Sequence, residues 1–256
     1  MTLAIETERL TRVFGDFVAV GGIDLKVERG TFYGFLGPNG AGKSTTIKML
    51  TGLLAPTDGF IRVLGRDMLD KTQSLEVKRH VGVVPENLAL FDNLTAREYL
   101  TFVGRMHLLP RDTIRARSDE LLSLLDLANE EKKLSLEYST GMKKKLALAA
   151  ALLPAPDLLF LDEPFEGVDA VTSRTIRDLL LGYVSRGSTV FLTSHILELV
   201  EKLCTHVGIV VHGKLVAQSS MAEIKQSGSL EHHFLQAAGA DALETPKLAW
   251  LEGPAT

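Results

Sequence analysis

The run Gly37-Pro38-Asn39-Gly40-Ala41-Gly42-Lys43-Ser44 restricts the fold of this chain more than any other stretch. Its three glycines and one proline rule out an ordinary helix or strand over the run itself. The flanks give it meaning. Phe32 to Leu36 is almost continuously apolar, as expected of a strand covered on both faces, and helix-forming residues resume after Lys43. Strand, glycine loop and helix together satisfy the Gly-x4-Gly-Lys-Ser/Thr pattern in the context that makes it chemical rather than incidental. Glycines let successive backbone N–H groups curl around a phosphate, and the helix start adds the positive end of its dipole. On this reading Gly37, Pro38, Asn39, Gly40, Ala41, Gly42, Lys43, Ser44 and Thr45 form a phosphate cradle. Lys43 reaches the β- and γ-phosphates, and Ser44 lends a hydroxyl to Mg²⁺, a hard cation that prefers oxygen ligands.

A second local pattern gives the chemistry a direction. Leu158-Leu159-Phe160-Leu161 runs into Asp162-Glu163-Pro164, so an apolar strand delivers two acids at its carboxyl end, the edge where open α/β sheets bind ligands. Alternation along a strand is expected to send the two side chains apart. Asp162 then faces the metal while Glu163 orients or polarises the attacking water. Two acids after a strand fit an exposed turn equally well when taken alone; the glycine loop upstream is what favours catalysis.

The remaining sequence supplies architecture. Ile23, Leu25 and Val27 alternate with charged residues up to Arg29-Gly30, the pattern of a half-buried strand, and Phe60 to Leu64 reads as another short strand. From Thr95 to Leu153 the texture is helical, with Tyr99, Phe102, Val103 and Met106, then Leu121, Leu122, Leu124 and Leu125, at helical spacings. Leu158 to Leu161 and Thr189 to Thr193 return as buried strands around a helical stretch from Thr172 to Val184, the alternation of a parallel sheet. Val207 to Val211 and Lys214 to Ala217 flank His212-Gly213 as a hairpin.

Composition excludes several classes. Lys and Arg number 28 against 32 Asp and Glu, a formal charge of -4, so there is no global basic field and no nucleic-acid partner is expected. Cys204 is the sole cysteine, which forbids an intrachain disulfide or a thiolate metal cluster and suits a reducing compartment. The longest apolar run, Leu146 to Leu153, ends at Pro154, well short of the roughly 20 residues of a bilayer crossing. Met1 to Arg12 has neither the basic head nor the apolar stretch of a secretory signal. The chain is expected in the cytoplasm, with any membrane role supplied by a partner.

Tyr138-Ser139-Thr140-Gly141-Met142, just ahead of the helix that leads to the carboxylate strand, resembles the Leu-Ser-Gly-Gly-Gln signature of ATP-binding cassette (ABC) ATPases. In physical terms it is a second helix start, where Ser139 and Gly141 offer a hydroxyl and N–H groups to an anion. The resemblance implies that this anion is the γ-phosphate of ATP held by a second copy, in an ATP-dependent head-to-tail homodimer with two composite sites. It also implies that Phe14 stacks on adenine, that Asp169 crosses the dimer interface, and that His195 touches the γ-phosphate. Lys43, Glu163 and His195 become the catalytic set, with Ser44, Glu86 and Asp162 around Mg²⁺. The implied fold is α/β: a P-loop NTPase core with a mostly parallel sheet, an antiparallel β subdomain at about 1–30 and 57–68, and an inserted α-helical subdomain at about 87–157. One cassette then spans 1–236, followed by a tail over 237–256.

Departures from the pattern sharpen the expectation. Glu86, in Val83-Val84-Pro85-Glu86, stands where most members carry glutamine; it keeps an oxygen ligand but adds a charge beside the γ-phosphate, with an effect on rate of no fixed sign. Its Pro-Glu form resembles bacterial export-type cassettes that work with separate transmembrane permease subunits. Tyr138, Thr140 and Met142 replace the commoner signature residues, while Ser139 and Gly141 remain. Lys143-Lys144-Lys145 reads either as a solvated helix face or, in part, as positive charge that favours the nucleotide. Phe91, Tyr99 and Phe102 suit either a groove that receives a permease helix or the core, and Ser229 to Leu235 resembles the C-terminal helix of export-type cassettes. The implied function is ATP hydrolysis that powers export, with the chain peripheral on the cytoplasmic face of a membrane. The alternative is a soluble ABC ATPase acting on ribosomes or DNA, but such proteins usually carry paired cassettes or a long coiled-coil insertion, and this sequence has neither.

Overall fold

The structure, a computed structural model, describes residues 2–237, so the stretch from 238 to 256 of the expected tail lies outside the described residues. Strand β1 (Leu3–Phe14) and strand β2 (Phe17–Glu28) form a hairpin around Gly15-Asp16. The half-buried strand expected from Ile23 therefore begins earlier, at Phe17, and the alternating N-terminal segment is its antiparallel partner. β3 (Phe32–Leu36) leads into the glycine loop and α1 (Lys43–Leu50). β4 (Asp58–Val63) and the two-residue β5 (Arg66–Asp67) complete a four-stranded sheet in the order β2-β1-β4-β5.

Helix α2 (Lys71–Arg79) and strand β6 (Val81–Val84) follow. The helical block then comprises α3 (Ala96–Met106), α4 (Arg111–Leu124) and α5 (Thr140–Leu152). Thr95 starts α3 with a capping box: its hydroxyl accepts from the Glu98 N–H while the Glu98 carboxylate accepts from the Thr95 N–H at 2.9 Å. After β7 (Leu158–Asp162) come α6 (Ala170–Ser185), β8 (Thr189–Ser194), α7 (Leu197–Leu203), β9 (His206–Val211), β10 (Lys214–Ser220), α8 (Met221–Ser227) and α9 (Leu230–Ala237). The main sheet runs β10-β9-β3-β8-β7-β6, parallel from β9 to β6, with β10 antiparallel at one edge.

Every residue of β3, β7 and β8 is buried, which is why those segments read as continuous apolar runs. Alternation still sorts their side chains. Tyr33, Phe35, Phe160 and Phe191 face the core shared with α1 and the antiparallel sheet, and Tyr33 stacks on Phe191 at 5.5 Å between centroids. Phe32, Leu36, Leu159, Leu161, Val190 and Leu192 face the opposite core, where α5 and its apolar run Leu146 to Leu153 lie. Burial on this scale, about 2 kcal/mol for each large side chain, fixes the strands in one register and so fixes where their carboxyl ends point.

Candidate nucleotide site

The carboxyl ends of β3, β7 and β8 converge on one open cleft of about 440 Å³. Phe17, Ala19, Asn39, Gly40, Ala41, Gly42, Lys43, Ser44, Thr45, Glu86, Glu163, Glu166 and His195 line it. The glycine loop is built for close approach. Gly42 holds φ at +99°, and a Cβ there would lie 2.5 Å from the Ala19 carbonyl oxygen. Gly37 is equally confined, because its Cβ would sit 2.3 Å from the Val210 carbonyl oxygen. The loop is tied from outside by the hairpin turn between β9 and β10: the Gly213 N–H donates to the Ala41 carbonyl at 3.1 Å, and the Gly213 carbonyl accepts from the Gly21 N–H at 2.8 Å. Helix α1 starts behind Gly42 with no side-chain cap, which leaves its first N–H groups for an anion. Lys43, 7% exposed, curls over the loop, where its Nζ donates to the Gly37 and Pro38 carbonyls at 2.8 and 3.2 Å.

On the opposite wall the Ser44 hydroxyl donates to Glu86 Oε2 at 3.4 Å, so two of the three sequence-proposed metal ligands meet. The third, Asp162, is buried at the end of β7 and does not line the cleft; its Oδ1 accepts from the Thr193 hydroxyl at 2.5 Å. A hydroxyl beside carboxylate oxygens is a donor set that fits Mg²⁺, and a glycine cradle that any side chain would fill fits a phosphate. Glu86, Glu163 and Glu166 also place three acids in one cleft, a charge that a triphosphate tolerates only beside compensating cations.

Glu163 is fixed at three points. Its N–H faces the Thr193 hydroxyl at 3.1 Å, its carbonyl accepts from Lys144 Nζ at 3.0 Å, and its Oε2 meets His195 Nδ1 at 3.0 Å. An ionised carboxylate only accepts, so this contact puts a proton on Nδ1 and leaves Nε2 facing away from it. The expected period-two divergence of Asp162 and Glu163 needs correcting. Glu163 adopts φ of +49°, so the strand has already ended and a left-handed turn, rather than strand alternation, aims its side chain.

Phe14 stands at the hairpin tip, 45% exposed with the Arg12 guanidinium 4.5 Å from its ring centroid, and its cross-strand partner Phe17 adds a second aromatic residue, at the cleft wall. Lys144 is not part of a solvated face. It is 7% exposed and inserts between α5 and the Glu163–Glu166 turn, donating to the Glu163 and Glu166 carbonyls. Burial lowers its affinity for a proton, while nearby Glu166, Glu163 and Glu86 act in the opposite direction. Glu166, Thr193 and Phe17 were missed by sequence reasoning, although Thr193 had a local signal in the Thr-Ser-His run; Lys144 was visible only as part of a cationic run, without its partners.

Ser139, Gly141 and Asp169 lie outside the cleft. Ser139 caps α5, its hydroxyl accepting from the Met142 N–H at 3.3 Å, and a Cβ on Gly141 would meet nothing within 4 Å. Tyr138 is buried and its hydroxyl donates to the Glu130 carbonyl, which explains an aromatic residue at that signature position. Asp169 caps α6, accepting from the Val171 and Thr172 N–H groups at 3.0 and 2.9 Å; those bonds hold its carboxyl below the ordinary range.

Comparison with known proteins agrees with this geometry. A family model described as ABC transporter matches residues 20–166. The daunorubicin/doxorubicin resistance ATP-binding protein DrrA of Streptomyces peucetius is 38% identical over 226 residues, covering 88% of this chain and 68% of DrrA. The bacitracin transport ATP-binding protein BcrA of Bacillus licheniformis is also 38% identical, over 227 residues, covering 88% of this chain and 72% of BcrA. A solved ATP binding subunit of an ABC transporter superposes with a TM-score of 0.85 at 27% identity, covering 92% of this chain and 99% of that one. The cassette MJ0796 in a post-hydrolysis state with ADP and Pi shares the fold at a TM-score of 0.79 and 22% identity, covering 85% and 98%. A glycine loop at one helix start, an acid-bearing strand edge with its histidine, and a second helix start left facing outward thus occur in a chain that belongs to the ABC transporter family, as one of its ATP-binding, ATP-hydrolysing cassettes.

Proposed function

We propose that two copies of this cassette close head to tail on two Mg·ATP and, by closing and reopening, drive export through separate transmembrane permease subunits at the cytoplasmic face of a membrane. The observation that carries this reading is the placement of Ser139 and Gly141: they form an exposed helix start that takes no part in their own cleft. A second copy turned by a two-fold axis brings that helix start over the γ-phosphate of the first, and the same operation completes the second site.

Within each site the roles follow from position. Gly37 to Thr45 hold the phosphates through backbone N–H groups, and Lys43 exchanges its loop carbonyls for phosphate oxygens. The hairpin tip carrying Phe14 and Phe17 receives the adenine. Glu163 accepts a proton from the attacking water or orients it, while His195 bridges Glu163 and the γ-phosphate. Ser44 and Glu86 would hold Mg²⁺, with Asp162 at the end of β7; when bound, the ion neutralises charge between phosphates and acids. Asp169 contacts the partner near both nucleotides.

The permease reading is supported by the family and by relatives named for drug resistance and bacitracin transport. It is also supported by an apolar groove of about 320 Å³ between β6, α3 and α5, lined by Leu88, Leu90, Tyr99 and Val103 among others. Phe91 and Phe102, at its margin, are 48% and 42% exposed and pack edge to face at 5.2 Å. Glu163→Gln tests the core of the proposal: turnover falls by about 10²–10⁴-fold and dimers persist in Mg·ATP. A Glu163→Gln protein that hydrolyses ATP at the normal rate, or stays monomeric beside its permease, refutes it. Co-purification of a polytopic membrane protein tests the partner.

A further inference from the structure

We propose that Lys144 is a positioning residue that couples the two active sites of the dimer: it transmits the position of α5, whose start meets the partner's nucleotide, to the turn that sets Glu163 in its own cleft. The inference rests on the functional reading above and adds a residue and a route to it.

Three observations carry it. First, the location: Lys144 sits in the second turn of α5, beyond the Ser139 cap, and reaches across to the main chain directly after β7. Both of its hydrogen bonds go to backbone carbonyls, those of Glu163 and Glu166, so it grips the shape of the turn rather than a mobile side chain. Second, the cost: Lys144 is 7% exposed, and among the described residues no carboxylate forms a direct ion pair with it. A lysine placed for stability alone would extend its stem to water or find a carboxylate, because a buried cation is expensive unless closely paired. Third, the object gripped: Glu163 is a non-glycine residue at φ of +49°, a conformation that persists only where its surroundings impose it. Thr193 holds its N–H, His195 its carboxylate, and Lys144 its carbonyl. Lys144 is the one of the three that rides on the signature helix.

The consequence is directional. When the start of α5 engages the partner's triphosphate, Lys144 carries that displacement to the Glu163–Glu166 turn, so each acid becomes correctly placed only when the other site is filled. Hydrolysis then rises with ATP concentration with a Hill coefficient above 1.

The test uses the full-length chain, with its permease, carrying Lys144→Met or Lys144→Arg. Lys144→Met keeps the stem and removes the donors: kcat falls by about 10-fold, KM for ATP stays within about two-fold, and the Hill coefficient drops to 1, the size expected of a typical coupling. Lys144→Arg, with its donors retained, recovers at least half of kcat and a Hill coefficient above 1. In a Glu163→Gln background, Lys144→Met still forms Mg·ATP-dependent dimers, which separates loss of coupling from loss of the fold or of nucleotide binding. The proposal is overturned if Lys144→Met keeps its kcat, if KM rises while kcat holds, if Arg restores no more than Met does, or if the wild-type chain itself shows a Hill coefficient of 1. Failure of the underlying dimer reading would appear separately, as monomeric Glu163→Gln protein with Lys144 intact.

Discussion

Helix α1 starts behind Gly42, which offers no side-chain cap, whereas α5 starts behind Ser139, whose hydroxyl already accepts from the Met142 N–H at 3.3 Å. Both are helix N-termini beside glycine, and both suit an anion by dipole and free N–H groups. They differ in confinement. A methyl on Gly42 would strike the Ala19 carbonyl at 2.5 Å, while one on Gly141 would meet nothing within 4 Å. The first helix start is finished inside its own subunit and needs only the nucleotide. The second takes no part in its own cleft; on the proposed dimer it is completed by another molecule, and within the subunit its serine serves the helix itself.

The same glycine-to-alanine change at the two starts is therefore the sharpest way to break the comparison. Gly42→Ala, strained at φ of +99° as well as crowded, should weaken ATP binding to the isolated chain by about 100-fold or more, roughly 3 kcal/mol, measured by titration with a fluorescent nucleotide. Gly141→Ala should leave that affinity unchanged and raise stability by about 0.5–1 kcal/mol, since alanine favours a helix. Its turnover should nonetheless fall by about 10-fold, because the added methyl meets the partner's phosphate; normal turnover would show that Gly141 faces no ligand. Ser139→Ala should cost about 1 kcal/mol in chemical denaturation through the lost cap, with turnover reduced as well. The smallest effect concerns Asp169. Its carboxyl is held below the ordinary value of 3.8 by the N–H groups it caps, so its stabilising contribution is present above that value and lost as pH falls through the lower native one. Asp169→Asn still caps the helix but does not titrate, so urea unfolding between pH 6 and pH 3 should show a shallower acid limb; an unchanged limb would remove Asp169 as its source.

Legibility in the sequence followed the range of the interaction. The glycine loop, the acids after β7 and His195 were readable because each is a short run whose meaning depends on the strand before it, and buried parallel strands announce themselves as apolar runs. The antiparallel partner β1, with its register shifts near Leu10, was harder, since bulges blur period-two patterning. The lysine run left Lys144 open between solvent and nucleotide, because only the fold brings the Glu163 and Glu166 carbonyls to it. Phe17 was not picked out beside Phe14 because sequence order carries no information about which hairpin residues approach a loop twenty-odd residues away. Glu163 was expected to obey strand alternation, yet its left-handed turn is imposed by Thr193 and Lys144 from other elements.

Gly213 binds three parts of the molecule at one point: its N–H reaches Ala41, its carbonyl receives Gly21, and a Cβ there would collide with the Ala19 carbonyl at 2.8 Å. The edge hairpin, the antiparallel sheet and the nucleotide loop are thereby joined at a single residue. A power stroke that pivoted at that joint would tear the cradle it serves. On the proposed dimer reading, any movement that spares the cradle falls to the helical block around α3 to α5, which among the described residues has no bond to Gly213.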